Sequence, residues 1–390
     1  MISQPKILFI CGSLEPGKSG VGDYTRVIAR EIRQLHGVVS VILALNDDYV
    51  DTETDTVLDS SSQIREIRLP KGSAKTWRKK LNSIIRTFNP DWISLQYVGY
   101  AYNSNGCSDS LMKLLKPYVK TIKLQIMFHE LWEGFGIHDS LKARFRGVLQ
   151  KRSVQGMIAT LNPAVVHTQN GFYIEQLRQL GIEVKYLPIF SNIPVVPRAT
   201  EPSLKLINDL TGLTITKQNR KEYLLFTFFG SIYPNWPGVN FMEHIHQVSA
   251  DLERKIVFLS MGKIGSQKQL WDSLRSVYGQ NYGFFELGFL EANEISILLQ
   301  EVDFGIASTP FEALGKSGSF VTMQEHGLHV FASKNMLRKK RLTSELESEK
   351  HAHPIDEHLA EIITHPPDKG NIEPRMEQTL KSFVKDLELL

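Results

Sequence analysis

Short solid apolar runs alternate with 3.6-residue rhythms through the first 190 residues of the chain. Residues 6–11 read as a buried strand, and residues 23–35 set Tyr24, Val27, Ile28, Ile32 and Leu35 on one helical face. Residues 38–45, 91–97, 123–128, 156–160 and 164–168 read as further strands, and 172–180 as a helix stopped by Gly181. Strands that are apolar throughout, separated by amphipathic helices, describe a mostly parallel sheet covered on both faces.

From 188 to 219 this grammar lapses, punctuated by Pro188, Pro194, Pro197 and Pro202. It then restarts, with strands at 223–229, 255–261, 283–287, 302–307 and 328–332 and helices at 239–252, 270–277, 294–299 and 320–325. Past 351, His353-Pro354 and Pro366-Pro367 break the pattern before Leu380, Phe383, Val384 and Leu387 outline a last amphipathic helix. The expected division is a Rossmann-like domain over 1–190, a linker over 191–220, a second Rossmann-like domain over 221–345, and a helical tail over 346–390 packing back across the junction. The expected fold class is α/β, two Rossmann-like domains facing across a cleft, with ligands at the carboxyl ends of the strands.

Length agrees with this, since 390 residues exceed what one core usually supports. Charge removes a class of function: 45 Lys and Arg against 42 Asp and Glu leave +3, too balanced for a dedicated nucleic-acid binder. Two cysteines make no disulfide framework, and Cys11 reads as a small buried residue. No window approaches the ~18–20 apolar residues of a membrane span. The apolar start meets Glu15 and Lys18 too soon for a signal peptide, so the expected setting is cytoplasmic. Basic clusters at Lys75, Arg78, Lys79 and Lys80 and at Arg338, Lys339, Lys340 and Arg341 leave two readings open. They are either solvated helix faces or peripheral contacts with the anionic inner face of a membrane.

Residues 12–19, Gly-Ser-Leu-Glu-Pro-Gly-Lys-Ser, match the phosphate-binding loop GxxxxGK[ST] between a strand and a helix. A P-loop ATPase or kinase is therefore an alternative. Against it, Gly20-Val21-Gly22 suggests a delayed helix start, and no strand ends in an obvious metal-binding Asp.

Several further motifs in order carry a resemblance. They are Gly17-Lys18-Ser19-Gly20-Val21-Gly22-Asp23-Tyr24 after the opening strand, His129-Glu130 after a strand, and Leu187-Pro188 at the domain exit. Gly288-Phe289-Leu290, Val302-Asp303 with Ser308, and Gly327-Leu328-His329-Val330 follow. The chain resembles the retaining glycosyltransferases that include sucrose synthase, glycogen synthase and bacterial mannosyl- and glucosyltransferases (family 4-like, or group 1), whose fold is GT-B. The resemblance spans roughly residues 5–345. It implies a hexosyltransferase that uses a nucleotide-diphosphate sugar (UDP-, GDP- or ADP-linked) with retention, in polysaccharide biosynthesis or on a carbohydrate, lipid-linked or small-molecule acceptor. No tightly bound cofactor is implied, and no metal or nucleic acid.

By the same resemblance Gly20 and Gly22 approach donor phosphates or acceptor, His129 bonds the transferred sugar, and Phe289 and Leu290 meet the nucleobase. Gly315, Lys316, Ser317, Gly318 and Ser319 receive the diphosphate, with glycines for close approach, a cation, hydroxyls and a helix N-terminus. Lys316 and His129 are the catalytic candidates. The family's two glutamates are absent: Leu314 and Thr322 stand there, with Glu325 a displaced candidate for the ribose. Lys263 is a candidate replacement for a basic residue missing after strand 223–229. Glu130, Tyr100 and Trp132 are acceptor candidates. A glycosyltransferase-like protein that binds ligand without turnover is a third reading.

Overall fold

The computed structural model describes residues 4–58, 64–197, 204–233, 236–249, 252–334, 337, 351–369 and 374–389. They form two compact units, Met1–Ile189 with Met376–Leu390, and Phe190–Arg375. Pro202, Asn235 and the basic cluster at 338–341 lie outside the described residues.

The first unit carries strands β1 (Lys6–Cys11), β2 (Val39–Asp47), β3 (Thr54–Val57), β4 (Arg65–Pro70), β5 (Trp92–Tyr97), β6 (Lys123–Phe128), β7 (Val165–Thr168) and β8 (Lys185–Tyr186). They line up as β3-β4-β2-β1-β5-β6-β7-β8, parallel except at the β3–β4 hairpin. Ile7 to Ile10 are fully buried, as expected of a central strand covered on both faces. Its helices are α1 (Gly20–His36), α2 (Ala74–Phe88), α3 (Gly99–Tyr102), α4 (Asp109–Leu115), α5 (Leu141–Leu161) and α6 (Gly171–Arg178).

Helix α1 starts at Gly20, with the Ser19 side chain accepting the Gly22 amide and Gly37 closing it in the left-handed region. The expectation of a delayed start is thus corrected: Ser19 caps the first turn and stabilises both glycines in it. Residues 156–160, expected as a strand, are the end of α5. A five-residue apolar run does not separate strand from helix, and α5 is apolar on two faces, which blurs its period.

The second unit opens with α7 (Leu204–Thr211), a helix inside the stretch expected to be linker. Its strands are β9 (Tyr223–Phe229), β10 (Lys255–Met261), β11 (Gly283–Gly288), β12 (Phe304–Ala307), β13 (His329–Ala332) and β14 (Ala352–Pro354), all parallel, in the order β11-β10-β9-β12-β13-β14. Helices α8 (Gly238–Ser249), α9 (Lys268–Tyr278), α10 (Ala292–Glu301), α11 (Gly318–Glu325) and α12 (Leu359–Thr364) complete it. The core is aromatic: Phe226 stacks on Phe258 at 5.3 Å and on Phe304 at 5.6 Å. The last helix, α13 (Arg375–Asp386), belongs from Met376 onward to the first unit, where Phe383 stacks on Phe9 at 6.1 Å. Two parallel-sheet α/β domains of the GT-B type are what the sequence leads one to expect.

Candidate functional site

In the second unit three adjacent strands each run into a glycine with positive φ: β9 into Gly230 (85°), β10 into Gly262 (82°) and β11 into Gly288 (70°). Only glycine takes this conformation freely, so the strand ends have no side chain. The Gly230 amide donates to Met261 O at 2.8 Å and the Gly262 amide to Gly288 O at 2.6 Å, which aligns the three ends. Beyond them, Ser308 accepts the Tyr233 amide at 2.8 Å and donates to Ser231 O at 3.2 Å, tying the loops after β9 and β12 together. Lys263 is exposed next to Gly262, Leu290 is half-buried, and the Phe289 ring is 70% exposed beside Gly288.

Helix α11 starts against this edge: a Cβ on Gly230 would lie 3.9 Å from that of Ser319. A 3₁₀ turn, Phe311–Lys316, leads in and buries Leu314 and Gly315. Ser317 caps the helix, accepting the Phe320 amide at 3.3 Å, with its Oγ 3.1 Å from that of Ser319. Among the described residues no acceptor meets the amides of Gly318 and Ser319. The Lys316 ammonium lies 6.0 Å from the Tyr233 ring centroid. Two orphan amides, hydroxyls and a cation beside a glycine-lined strand edge suit a multiply charged anion.

Thr322 and Glu325 face elsewhere. Both are buried; Thr322 Oγ1 lies 2.9 Å from Ser191 Oγ, and Glu325 accepts the amides of Ser191 at 3.2 Å and Arg375 at 3.4 Å. Burial raises the Glu325 pKa against these two amide bonds. Both side chains thus anchor the ends of this unit's own chain.

In the first unit the loop 12–19 uses its amides internally. Leu14 N donates to Asp47 at 2.9 Å, Glu15 N to Ser13 Oγ at 3.3 Å, and Gly17 N to Asp23 at 3.1 Å; Lys18 N and Ser19 N both reach Glu15 O at 3.1 Å. Burial alone would raise Asp47, but Arg68, the Leu14 and Tyr49 amides and Ser13 outweigh it and hold the carboxylate ionised. A phosphate-binding loop directs such amides at its ligand. Here a buried carboxylate takes part of that role, which removes the physical basis of the P-loop reading. Gly20 has open space around it, whereas a Cβ on Gly22 would fall 2.5 Å from Ser13 O. Gly22 is thus explained by close packing of loop on helix.

His129 follows β6 and is buried, its ring edge-on to Tyr24 at 5.1 Å between centroids. Its Nε2 lies 2.8 Å from Gln96 Oε1. From Gln96 a buried chain continues: Gln96 to Ser94 at 2.8 Å, Ser94 to Gln125 at 2.6 Å, Gln125 to His167 Nδ1 at 3.1 Å, and His167 Nε2 to Asp386 at 3.0 Å. The Asp386 carboxylate, held down to about 2 by His167 and Lys185, can only accept. Each earlier link must therefore donate toward it, so neutral His129 carries its proton on Nε2 and keeps a lone pair on Nδ1. Burial lowers His129 to about 3, which keeps the ring neutral. A trace of this relay in the sequence is Ser94 and Gln96, two apart in an otherwise apolar strand and so on one sheet face.

Of the acceptor candidates, Glu130 is exposed. Tyr100 bonds Glu133 and receives bonds from Arg146 at 3.1 Å and Gln150 at 2.9 Å. Trp132 lies under the Lys151 ammonium at 5.8 Å. Among the described residues, three metal-donor groups converge only at Asp356, Glu357 and His358, after β14 and away from every candidate named above in sequence.

No protein-family model matches the chain, and no curated protein matches it. Solved structures match over its whole length. A glycosyltransferase from Rickettsia africae superposes with a TM-score of 0.59 at 13% identity, covering 99% of this chain and 95% of that one. Anabaena Alr3699/HepE in complex with UDP gives 0.59 at 11% identity, covering 98% and 96%. The UDP-GlcNAc 2-epimerase from Neisseria meningitidis bound to UDP-GlcNAc gives 0.53 at 12% identity, covering 98% and 99%. The fold is therefore that of GT-B glycosyltransferases, which the epimerases share.

Proposed function

We propose that the protein is a glycosyltransferase that moves a hexose from a nucleotide-diphosphate sugar to a carbohydrate, lipid-linked or small-molecule acceptor. The observation that carries this reading is the α11 N-terminus, with the orphan amides of Gly318 and Ser319 and the Lys316 cation, set against the glycine-ended edge of β9, β10 and β11.

Glycosyl transfer loads negative charge onto the departing diphosphate, and donors fixed in advance around that charge lower the barrier. Lys316, the two amides and the hydroxyls of Ser317 and Ser319 fill this role. The edge glycines let the diphosphate approach backbone closely, and Lys263 adds charge. Phe289 offers a face for the base, with Leu290 beside it. UDP is the first base to test, because the similar Anabaena protein was solved with it and the Neisseria epimerase with UDP-GlcNAc. In the first unit, His129 accepts from a sugar hydroxyl through Nδ1, while Gly20, Glu130, Tyr100 and Trp132 are acceptor contacts. Retention of configuration rests on the resemblance to the family 4-like group.

A second reading is supported by Leu314 and Thr322, which put no carboxylate where that group has two: the chain binds nucleotide sugar without turning it over. Incubation with UDP-, GDP- and ADP-hexoses, followed by proton NMR of the anomeric signal, separates these. Release or transfer of the hexose supports the proposal, and its anomeric form tests retention. Binding without product supports the second reading, and an epimerised nucleotide sugar would overturn both.

A further inference from the structure

Helix α5 is apolar on two opposite faces. Gly147, Gln150, Val154, Met157 and Leu161 turn inward and are buried. On the other side Leu141 is 80% exposed, Phe145 66%, Val148 47% and Leu149 41%. At 100° per residue these four fall within about 100° of arc, diametrically opposite the buried face. Such a stripe is too ordered to be scattered surface apolar residues.

Charge says what covers it. The 21 residues of α5 contain Lys142, Arg144, Arg146, Lys151 and Arg152 and no acidic residue. Arg144 and Lys151 flank the stripe on one side, Lys142 and Arg146 on the other, and Arg152 extends it. Of these, Arg146 is paired with Glu133 at 3.2 Å, and Lys142 and Arg152 are exposed. The basic field continues onto the neighbouring helices, where Arg78 of α2 bonds Lys113 O of α4 at 3.1 Å and α4 packs on α5. A second copy of the chain would bring the same positive field against itself. Nucleic acid would satisfy the cations and leave Phe145 and Leu141 in water. A surface that is negative at its boundary and apolar beneath satisfies both.

We infer that α5 docks the protein on an anionic lipid bilayer, with Leu141, Phe145, Val148 and Leu149 entering the acyl boundary and the flanking cations meeting headgroup phosphates. This moves the membrane contact expected from Lys75 to Lys80 onto α5; α2 supplies charge at the periphery. The inference does not depend on the donor reading, because docking requires neither nucleotide nor turnover.

The test is sedimentation of the full chain with vesicles of phosphatidylcholine alone and of phosphatidylcholine with phosphatidylglycerol, without nucleotide. Binding to the anionic vesicles is expected, weakening as salt is raised, with little binding to the neutral ones. Phe145→Ser and the pair Lys142→Glu, Arg152→Glu are each expected to weaken it about ten-fold or more. These side chains are exposed, so an unchanged thermal melt verifies folding; if one variant fails to fold, the other carries the test. No binding by the unaltered chain, or equal binding by the folded variants, overturns the inference. A dimer in sedimentation equilibrium that Phe145→Ser dissociates, without vesicle binding, assigns the face to a second copy and overturns it as well.

Discussion

His129 and Asp386 stand at the two ends of one buried chain of five hydrogen bonds, 257 positions apart in sequence, through Gln96, Ser94, Gln125 and His167. The carboxylate accepts only, so it sets the direction of every donor up to the His129 imidazole. Asp386→Asn removes that constraint. In long-range nitrogen-15 NMR, His129 is expected as the Nε2–H tautomer in the unaltered protein and as a tautomer mixture in the variant. The lost charge-assisted bond is expected to cost about 1–2 kcal/mol of stability. An unchanged His129 spectrum in a folded Asp386→Asn protein would remove the link.

Acid should destabilise the fold through its neutral histidines. Burial lowers His129 to about 3 and His353 to about 4, and depresses His167, His326 and His329 in the same direction. The unfolded chain takes up these protons near pH ~6.5, while folded His129 resists until about 3. Stability is therefore full above ~6.5 and falls as pH drops toward about 3. Urea midpoints across this window should decline steadily. His129→Gln should flatten the slope by about one proton's worth.

Glycines 20 and 22 separate packing from ligand binding. Gly22→Ala drives a Cβ into Ser13 O, and about 2–3 kcal/mol of stability should be lost in thermal melts. Gly20→Ala meets nothing within 4 Å and should leave the melt unchanged or raise it slightly.

Glu325 gives a contrast between the family's pattern and this chain. Because it holds the amides of Ser191 and Arg375, Glu325→Ala should cost about 2 kcal/mol while leaving the affinity for nucleotide within a factor of about two. A large loss of affinity at unchanged stability would return Glu325 to the donor site.

Much of this was legible in the sequence where a single physical signal dominated. Strands at 123–128, 223–229 and 255–261 match the observed bounds, since buried parallel strands are solid apolar runs, whereas the shorter run at 156–160 carries the same signal inside a helix. The diphosphate candidates from Gly315 to Ser319 lie together because they are contiguous across one cap. What escaped depends on register or on a second face. Gln96, Gln125 and His167 meet only once β5, β6 and β7 are aligned, and Asp386 arrives from the far end of the chain. The P-loop match failed because the motif specifies residue types and leaves open which acceptors the loop amides find. The apolar outer stripe of α5 hid its helical period.

The central claim is tested most directly by calorimetric titration of UDP into the unaltered protein and into Lys316→Ala, with Lys18→Ala as control. The account predicts binding that Lys316→Ala weakens about ten-fold and that Lys18→Ala leaves unchanged. Equal affinity in Lys316→Ala, or binding lost only with Lys18→Ala, would contradict it.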